Sequence, residues 1–118
     1  MRLLKENMFS CPIAEQTGYE LKTGLWDDFC FADRDGLSAV RNTYRNAMRY
    51  NKDDYIALTE LVMILNWKIW QHYNKDKELA KLYNDLWEKT DEYAMNNLKD
   101  DELKYFLRTT DWGKKYEI

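Results

Sequence analysis

The chain has 118 residues and a formal net charge of −3, from 18 lysines and arginines against 21 aspartates and glutamates. This length has room for one domain with one hydrophobic core, so we expect no second domain. The slight acidic excess is untypical of a nucleic-acid-binding domain. Charged residues interrupt every apolar stretch before it reaches 18 residues, so we expect no membrane-spanning helix.

Cysteine usage and the N-terminus indicate the compartment. Cys11 and Cys30 are not spaced as CxxC, and His72 is the only histidine, so we expect reduced thiols and no zinc site. Lys5 and Glu6 interrupt the N-terminal segment where a signal peptide needs a continuous apolar core. We therefore expect a cytoplasmic protein that binds no metal or other cofactor.

The first 23 residues carry Pro12 and Gly18 among apolar side chains that follow no sustained period. We expect this part of the chain to be an irregular N-terminal arm. Thr23 is placed to cap a short helix over Leu25–Asp33, which the following Asp-Gly pair ends.

Apolar residues at helical spacing predict a second helix over Leu37–Tyr50 and a central helix over Asp54–Tyr73. The central helix is apolar on nearly every side, so other helices must cover it. Four of its residues are expected to be almost fully buried: Leu58, Val62, Leu65 and Ile69. Asp53 is its expected N-cap, and the short link there implies that neighbouring helices run antiparallel. Asn66, polar in an apolar run, is expected to hydrogen-bond across the bundle.

A fourth helix is predicted over Lys77–Leu98 and a last one over Asp101–Arg108, with Asp100 as its cap. Residues 24–111 then form a helical bundle, and residues 112–118 a charged tail. The chain has one proline and four glycines, and no strand-like alternation follows Gly24. The expected fold class is all-α, a single-domain antiparallel bundle of about four to five helices with the irregular N-terminal arm.

The segment from Asp85 to Glu102 has the largest local excess of charge in the sequence. Its acidic residues, which we call the acidic face, are Asp85, Glu88, Asp91, Glu92, Asp100, Asp101 and Glu102. Such a face could bind a basic cleft on a partner protein, because complementary charge steers association. Helix capping and solubility explain the same residues without a partner and are the commoner cause of an acidic face.

Arginines recur every four residues on the predicted second helix and form a basic stripe of Arg41, Arg45 and Arg49. Arginine stripes of this kind can bind phosphate groups. Residues 1–52 hold eight basic and seven acidic residues, however, so nucleic acid is not the expected partner. A solvated helix face is the simpler interpretation of the stripe.

Aromatic residues make up 15% of the chain, more than a core of this size easily hides. Four of them, on the second and central helices, are candidates for an aromatic pocket between helices: Tyr44, Trp67, Trp70 and Tyr73. With an arginine nearby, such a pocket would hold a nucleotide or another planar anion.

We find no catalytic or metal-binding set in the sequence. His72 stands without a Gly-x-Ser-x-Gly motif, and a place at a helix C-terminus accounts for it. Asp27, Asp28, Asp33 and Glu60 lack the Glu-x-x-His pairs of a di-iron bundle, so capping and ion pairing are preferred to a metal site. We therefore expect no catalytic residues and no enzymatic activity.

Three segments resemble a family of small helical proteins encoded by phages and by integrative or conjugative elements of Firmicutes. They are WDDFCFADRDGLSAVRNTYRNAM, DYIALTELVMILNWKIWQHY and LYNDLWEKTDEYAMNNLKDDELKYFLRTTD. The resemblance extends from Trp26 to Asp111 and leaves out the N-terminal arm. The family has no known catalytic residues to carry over, so the resemblance implies the setting of a mobile genetic element and not a chemistry.

The sequence thus leads to two hypotheses on function. In the first, the chain is a small non-enzymatic mobile-element protein that acts by protein–protein binding. Its partner would be a host or element protein, and inhibition of a host defence system, in an anti-CRISPR-like or other anti-defence role, is the expected outcome. The alternative is a module that binds a nucleotide or small anion in the aromatic and arginine pocket. The oligomeric state stays open, a homo-oligomer included.

Overall fold

The computed structural model describes residues 11–110, so the first ten residues and the predicted charged tail lie outside the described part. Six helices occupy the described residues. They are α1 (Pro12–Thr17), α2 (Leu25–Asp35), α3 (Leu37–Asn51), α4 (Tyr55–His72), α5 (Lys77–Asn97) and α6 (Asp100–Thr110). No strand occurs among these residues, and the all-α prediction is confirmed. Within the same range, no helix combines the length and apolar character needed to cross a bilayer.

The N-terminal arm, which we predicted to be irregular, contains the short helix α1. Pro12 occupies its first turn, where the missing N–H has no helical partner to lose. Gly18 ends it with a left-handed φ of 78°, which glycine adopts at no steric cost. Ile13 is completely buried in the common core. Both residues that looked like breakers therefore define the ends of a helix that is too short to show an apolar period.

The helix caps differ from those predicted. Asp54, and not Asp53, caps α4, because its extended backbone directs its carboxylate to the N–H groups of Ile56 and Ala57, at 3.0 and 3.2 Å. Gly24 directly precedes α2 and has no side chain to cap it, while the Thr23 hydroxyl accepts a long bond from the Leu25 N–H at 3.4 Å and donates to Glu60 at 2.8 Å. Asp100, the predicted cap of α6, is the first residue of that helix and has a φ of 57°.

The central helix α4 packs mainly against α5, then α6 and α2. A four-residue link joins it to α5, and two long helices in contact after so short a link form an antiparallel pair. The prediction of its buried residues is confirmed, with at most 2% exposure for Leu58, Val62, Leu65 and Ile69. The helix α3 packs chiefly on α2 and only lightly on α5, which leaves a space between α3 and α5.

Asn66 lies in the middle of α4 and is 1% exposed. Neither its amide nitrogen nor its amide oxygen has a hydrogen-bond partner among residues 11–110. The expected bond across the bundle is therefore not formed within this part of the chain. An unsatisfied buried polar group costs about 1–3 kcal/mol.

Candidate functional site

A groove of about 700 Å³ lies between α3 and α5. Its less exposed lining residues form the floor, with Tyr44 and Met48 from α3 and Leu82 and Leu86 from α5. These four side chains are half-buried or buried, and all are apolar or aromatic. The groove therefore offers an apolar surface between two helices.

Tyr44 is fixed in this floor by a hydrogen bond to α5. Thr90 uses its hydroxyl proton to bond the Leu86 carbonyl at 2.7 Å, so Tyr44 must be the donor in its 2.9 Å bond to Thr90 Oγ1. Burial raises the pKa of the Tyr44 hydroxyl above its ordinary value. The ring is thus a neutral part of the floor that also ties α3 to α5.

The two rims of the groove carry opposite charge. Its charged lining residues are Arg41 and Arg45 on α3 and Asp85, Glu88, Lys89 and Glu92 on α5, all of them exposed. The α3 rim has two cations, while the three carboxylates of the α5 rim exceed its single lysine by two. The rims therefore have formal charges of +2 and −2, and the groove as a whole is neutral.

No ion pair crosses the groove within the described part of the chain. Asp85 pairs along its own helix with Lys81, at 3.9 Å. Arg45 donates from Nη1 to the Asn42 side chain on its own helix, at 2.8 Å. Exposed pairs of this kind contribute about 1 kcal/mol at most. The charges on both rims are therefore available to a bound molecule.

The residues of the predicted acidic face do not all lie on one surface of the structure. Three of its seven residues line the groove, as given above, and Asp91 does not, although it belongs to the same helix. One carboxylate oxygen of Asp91 is buried without a hydrogen-bond partner among the described residues. Asp100, Asp101 and Glu102 are exposed in the first turn of α6. The seven acidic residues thus belong to more than one surface.

The residues of the basic stripe also do not all line the groove. Arg41 and Arg45 line the groove, whereas the guanidinium of Arg49 lies 5.7 Å from the ring centre of its neighbour Tyr50. Arg49 therefore lies on the same helix as Arg41 and Arg45 but outside the groove.

The four candidate aromatic residues do not share one pocket. Tyr44 lies in the groove, while Trp67 and Trp70 contact each other with ring centres 5.5 Å apart. Tyr73 lines a separate depression of about 320 Å³ beside Lys77 and the start of α5. Only Tyr44 is thus found beside arginines of the basic stripe.

A buried polar cluster, which the sequence analysis did not identify, joins α2, α4 and α5 around Asp33. Lys68 Nζ lies 2.5 Å from Asp33 Oδ2, and His72 Nε2 lies 3.2 Å from the same oxygen. The Tyr83 hydroxyl donates to the other oxygen, Oδ1. The side chains of Lys68 and Asp33 are 1% and 11% exposed, so this is an ion pair inside the core.

The charge state of the cluster follows from these bonds. Burial alone would raise the pKa of Asp33, but hydrogen bonds from His72, Lys68 and Tyr83 outweigh it and lower the pKa below its ordinary value. Burial and the nearby Asp33 carboxylate raise the pKa of the Tyr83 hydroxyl. Asp33 is thus an anion held by three donors, and Tyr83 is neutral.

Lys68 has two further neighbours on α2. Its Nζ donates to the sulfur of Cys30 at 3.3 Å and lies 4.5 Å from the ring centre of Trp26. Cys30 is a free thiol whose pKa is raised by burial, so it stays protonated and poorly nucleophilic. The contacts of the cluster hold three helices together. The sequence had one signal for this cluster: Lys68 lies in a helix that is apolar on nearly every side, and a lysine buried there needs an anionic partner.

Glu60 forms a second buried network, away from Asp33. This fully buried carboxylate accepts hydrogen bonds from the Tyr19 hydroxyl, the Lys22 N–H, and both the N–H and the hydroxyl of Thr23, at 2.8–3.0 Å. The Tyr105 hydroxyl donates to that of Tyr19, which brings α6 into the network.

Residues 11–110 contain no group of three or more histidine, cysteine, aspartate or glutamate side chains placed to hold a metal ion.

The fold and the groove define a class of molecule, an all-α bundle with an interhelical groove whose rims have opposite charge. No family model matches the chain, and neither the curated proteins nor the solved structures include a match to it. The resemblance to mobile-element proteins therefore stays a prediction.

Proposed function

We propose that this chain acts by binding another protein through the groove between α3 and α5. The observation that carries the proposal is the combination of an apolar floor with two oppositely charged rims, between which residues 11–110 form no ion pair. A protein surface can supply apolar side chains and both signs of charge at once, as interfaces generally do.

The charge of the groove favours protein binding over nucleotide binding. The groove places Tyr44 beside Arg41 and Arg45, as a nucleotide or planar anion would require. The carboxylates on the opposite rim make the total charge zero, so a phosphate-bearing ligand gains no net attraction on approach. A partner that meets each rim with the opposite sign gains at both. A protein partner is therefore the better fit.

The resemblance to mobile-element proteins supports a more specific proposal. In it the partner is a host or element protein, and binding inhibits a host defence system. The proposed role is non-enzymatic, and the engagement of His72 and Asp33 with Lys68 and Tyr83 in helix packing supports it. Plating of a phage on defended cells that express the chain tests this role, since an inhibitor restores plaque formation.

Affinity capture from a host-cell lysate tests protein binding. Three forms of the full chain are compared, namely the wild type, the double variant Arg41→Glu/Arg45→Glu and the control Arg49→Glu, which makes the same kind of charge change outside the groove. We expect one protein to be retained by the wild type and by Arg49→Glu and to be lost with the double variant. Capture of no protein by the wild type, or equal capture by all three, would refute the proposal.

A further inference from the structure

The two helices that form the walls of the groove, α3 and α5, and the charges on its rims also define the kind of partner surface that fits it. We propose that the groove binds an amphipathic α-helix with an acidic flank that lies beside α3 and a basic flank that lies beside α5. This inference rests on the proposed function, because it names the part of the partner that enters the same site.

The walls of the groove favour a helix over an extended segment. Both walls are α-helices, whose backbone N–H and C=O groups bond within the helix, so the groove has no sheet edge to which a strand could add. A proline-rich segment would need a groove lined by several aromatic residues, and among the described lining residues only Tyr44 is aromatic. Burial of the apolar stripe of an amphipathic helix is the mode of peptide recognition that uses both the helical walls and the apolar floor.

The dimensions of the groove agree with this mode. Its lining residues run from Arg41 to Met48 on α3 and from Leu82 to Glu92 on α5. At 1.5 Å per residue, these walls are about 10 and 15 Å long, which corresponds to two to three turns of a bound helix. Over that length a helix presents apolar residues at positions i, i+3 or i+4, and i+7 on one side.

The charges on the rims determine the flanks of the bound helix. Arg41 and Arg45, one turn apart on α3, are matched by carboxylates one turn apart on the occupant. The carboxylates of the α5 rim are matched by lysines or arginines on the opposite flank. A helix with the same sign on both flanks is attracted by one rim and repelled by the other.

Opposite rims also set the direction of the bound helix. Turning a docked helix end for end, with its apolar stripe still on the floor, exchanges its two flanks. A helix with one acidic and one basic flank then meets like charge on both rims. Each such helix therefore docks in one direction only.

Three labelled helical peptides test the inference by fluorescence anisotropy with the full chain. They share one leucine stripe and differ in their flanks, which are acidic and basic, both acidic, or both basic. We expect the mixed peptide to bind wild type about tenfold more tightly than either of the others, because it forms favourable charge pairs on both rims. Its helical circular dichroism should increase on binding.

Charge reversal of each rim should change the order of affinities. In Arg41→Glu/Arg45→Glu both rims are acidic, so the peptide with two basic flanks should bind most tightly. In Asp85→Lys/Glu92→Lys the α5 rim becomes cationic, and the peptide with two acidic flanks should bind most tightly. Arg49→Glu and Asp53→Lys, exposed residues outside the groove, should keep the wild-type order. Melting curves check that each variant is folded, and the two reversals test the inference independently.

The results distinguish the inference from the proposed function. Equal binding of the three peptides, an order that neither charge reversal changes, or no binding at concentrations of about 1 mM overturns the helix inference. Should the lysate partner nevertheless depend on Arg41 and Arg45, protein binding through the groove stands and only the helical occupant is wrong. Binding of the mixed peptide with no protein captured from lysate supports the helix chemistry and refutes the proposed function.

Discussion

Replacement of Asp33 by alanine is expected to destabilise the fold more than any change to a surface charge. The substitution leaves Lys68, which is 1% exposed, without its anionic partner, and it removes the acceptor of bonds from His72 and Tyr83. Breaking one side of a buried ion pair costs about 3–5 kcal/mol. Small domains have a free energy of unfolding of about 5–15 kcal/mol, so roughly a fifth or more of the stability is at stake.

Urea titration followed by circular dichroism measures this loss. With a slope of about 1–3 kcal/mol per molar urea, the midpoint should fall by at least about 1 M. Asp35→Ala is the matched control, because Asp35 is an exposed aspartate on the same helix and should change the free energy of unfolding by no more than about 0.5 kcal/mol. Adding Lys68→Met to Asp33→Ala should restore at least about 1 kcal/mol, since it removes the unpaired cation. Equal midpoints for Asp33→Ala and Asp35→Ala would refute a stabilising role for the cluster.

Three further predictions concern the same core. The pKa of Asp33 is lowered in the folded chain, so its ionised form stabilises the fold at pH values above the ordinary pKa of 3.8. This contribution is lost as the pH falls below that value. Urea titrations in acid should therefore show a free energy of unfolding that depends less on pH in Asp33→Asn than in the wild type. Leu65→Ala should cost about 2–5 kcal/mol, whereas Lys81→Ala, at a side chain that is 78% exposed, should cost less than about 0.5 kcal/mol, and an unchanged midpoint for Leu65→Ala would contradict the assigned core. Asn66→Leu should raise the melting temperature, because it removes a buried amide that has no hydrogen-bond partner among residues 11–110, and a clear fall would show that the amide is satisfied.

The positions of the helices and the buried residues of the central helix could be predicted, because both depend on local sequence. Apolar residues three and four positions apart specify a buried stripe wherever the helix ends up, and this placed Leu58 and Val62 correctly. Capping is also local, but it depends on the backbone conformation of one residue, so Asp53 was predicted where Asp54 is found. The helix α1 was missed because six residues are too few to show a period.

The candidate site could be predicted only in parts. The sequence separately indicated a basic stripe, an acidic face and Tyr44 as an aromatic candidate. That Arg45 and Glu92 line the same groove depends on how α3 and α5 are rotated and spaced, which no local pattern records. The same holds for Asp33 and Lys68, which are 35 residues apart and meet only when α2 packs on α4.

The network around Glu60 ties residues 19–23 to the core. All of its described hydrogen-bond donors belong to residues 19–23, on the N-terminal side of the predicted domain boundary at residue 24. A chain shortened to that boundary would keep a carboxylate in the core and lose every one of these donors, at a cost of several kcal/mol. Residues 19–23 therefore stabilise the bundle from outside the predicted boundary, since they supply the hydrogen bonds of the one acidic side chain that the central helix buries completely.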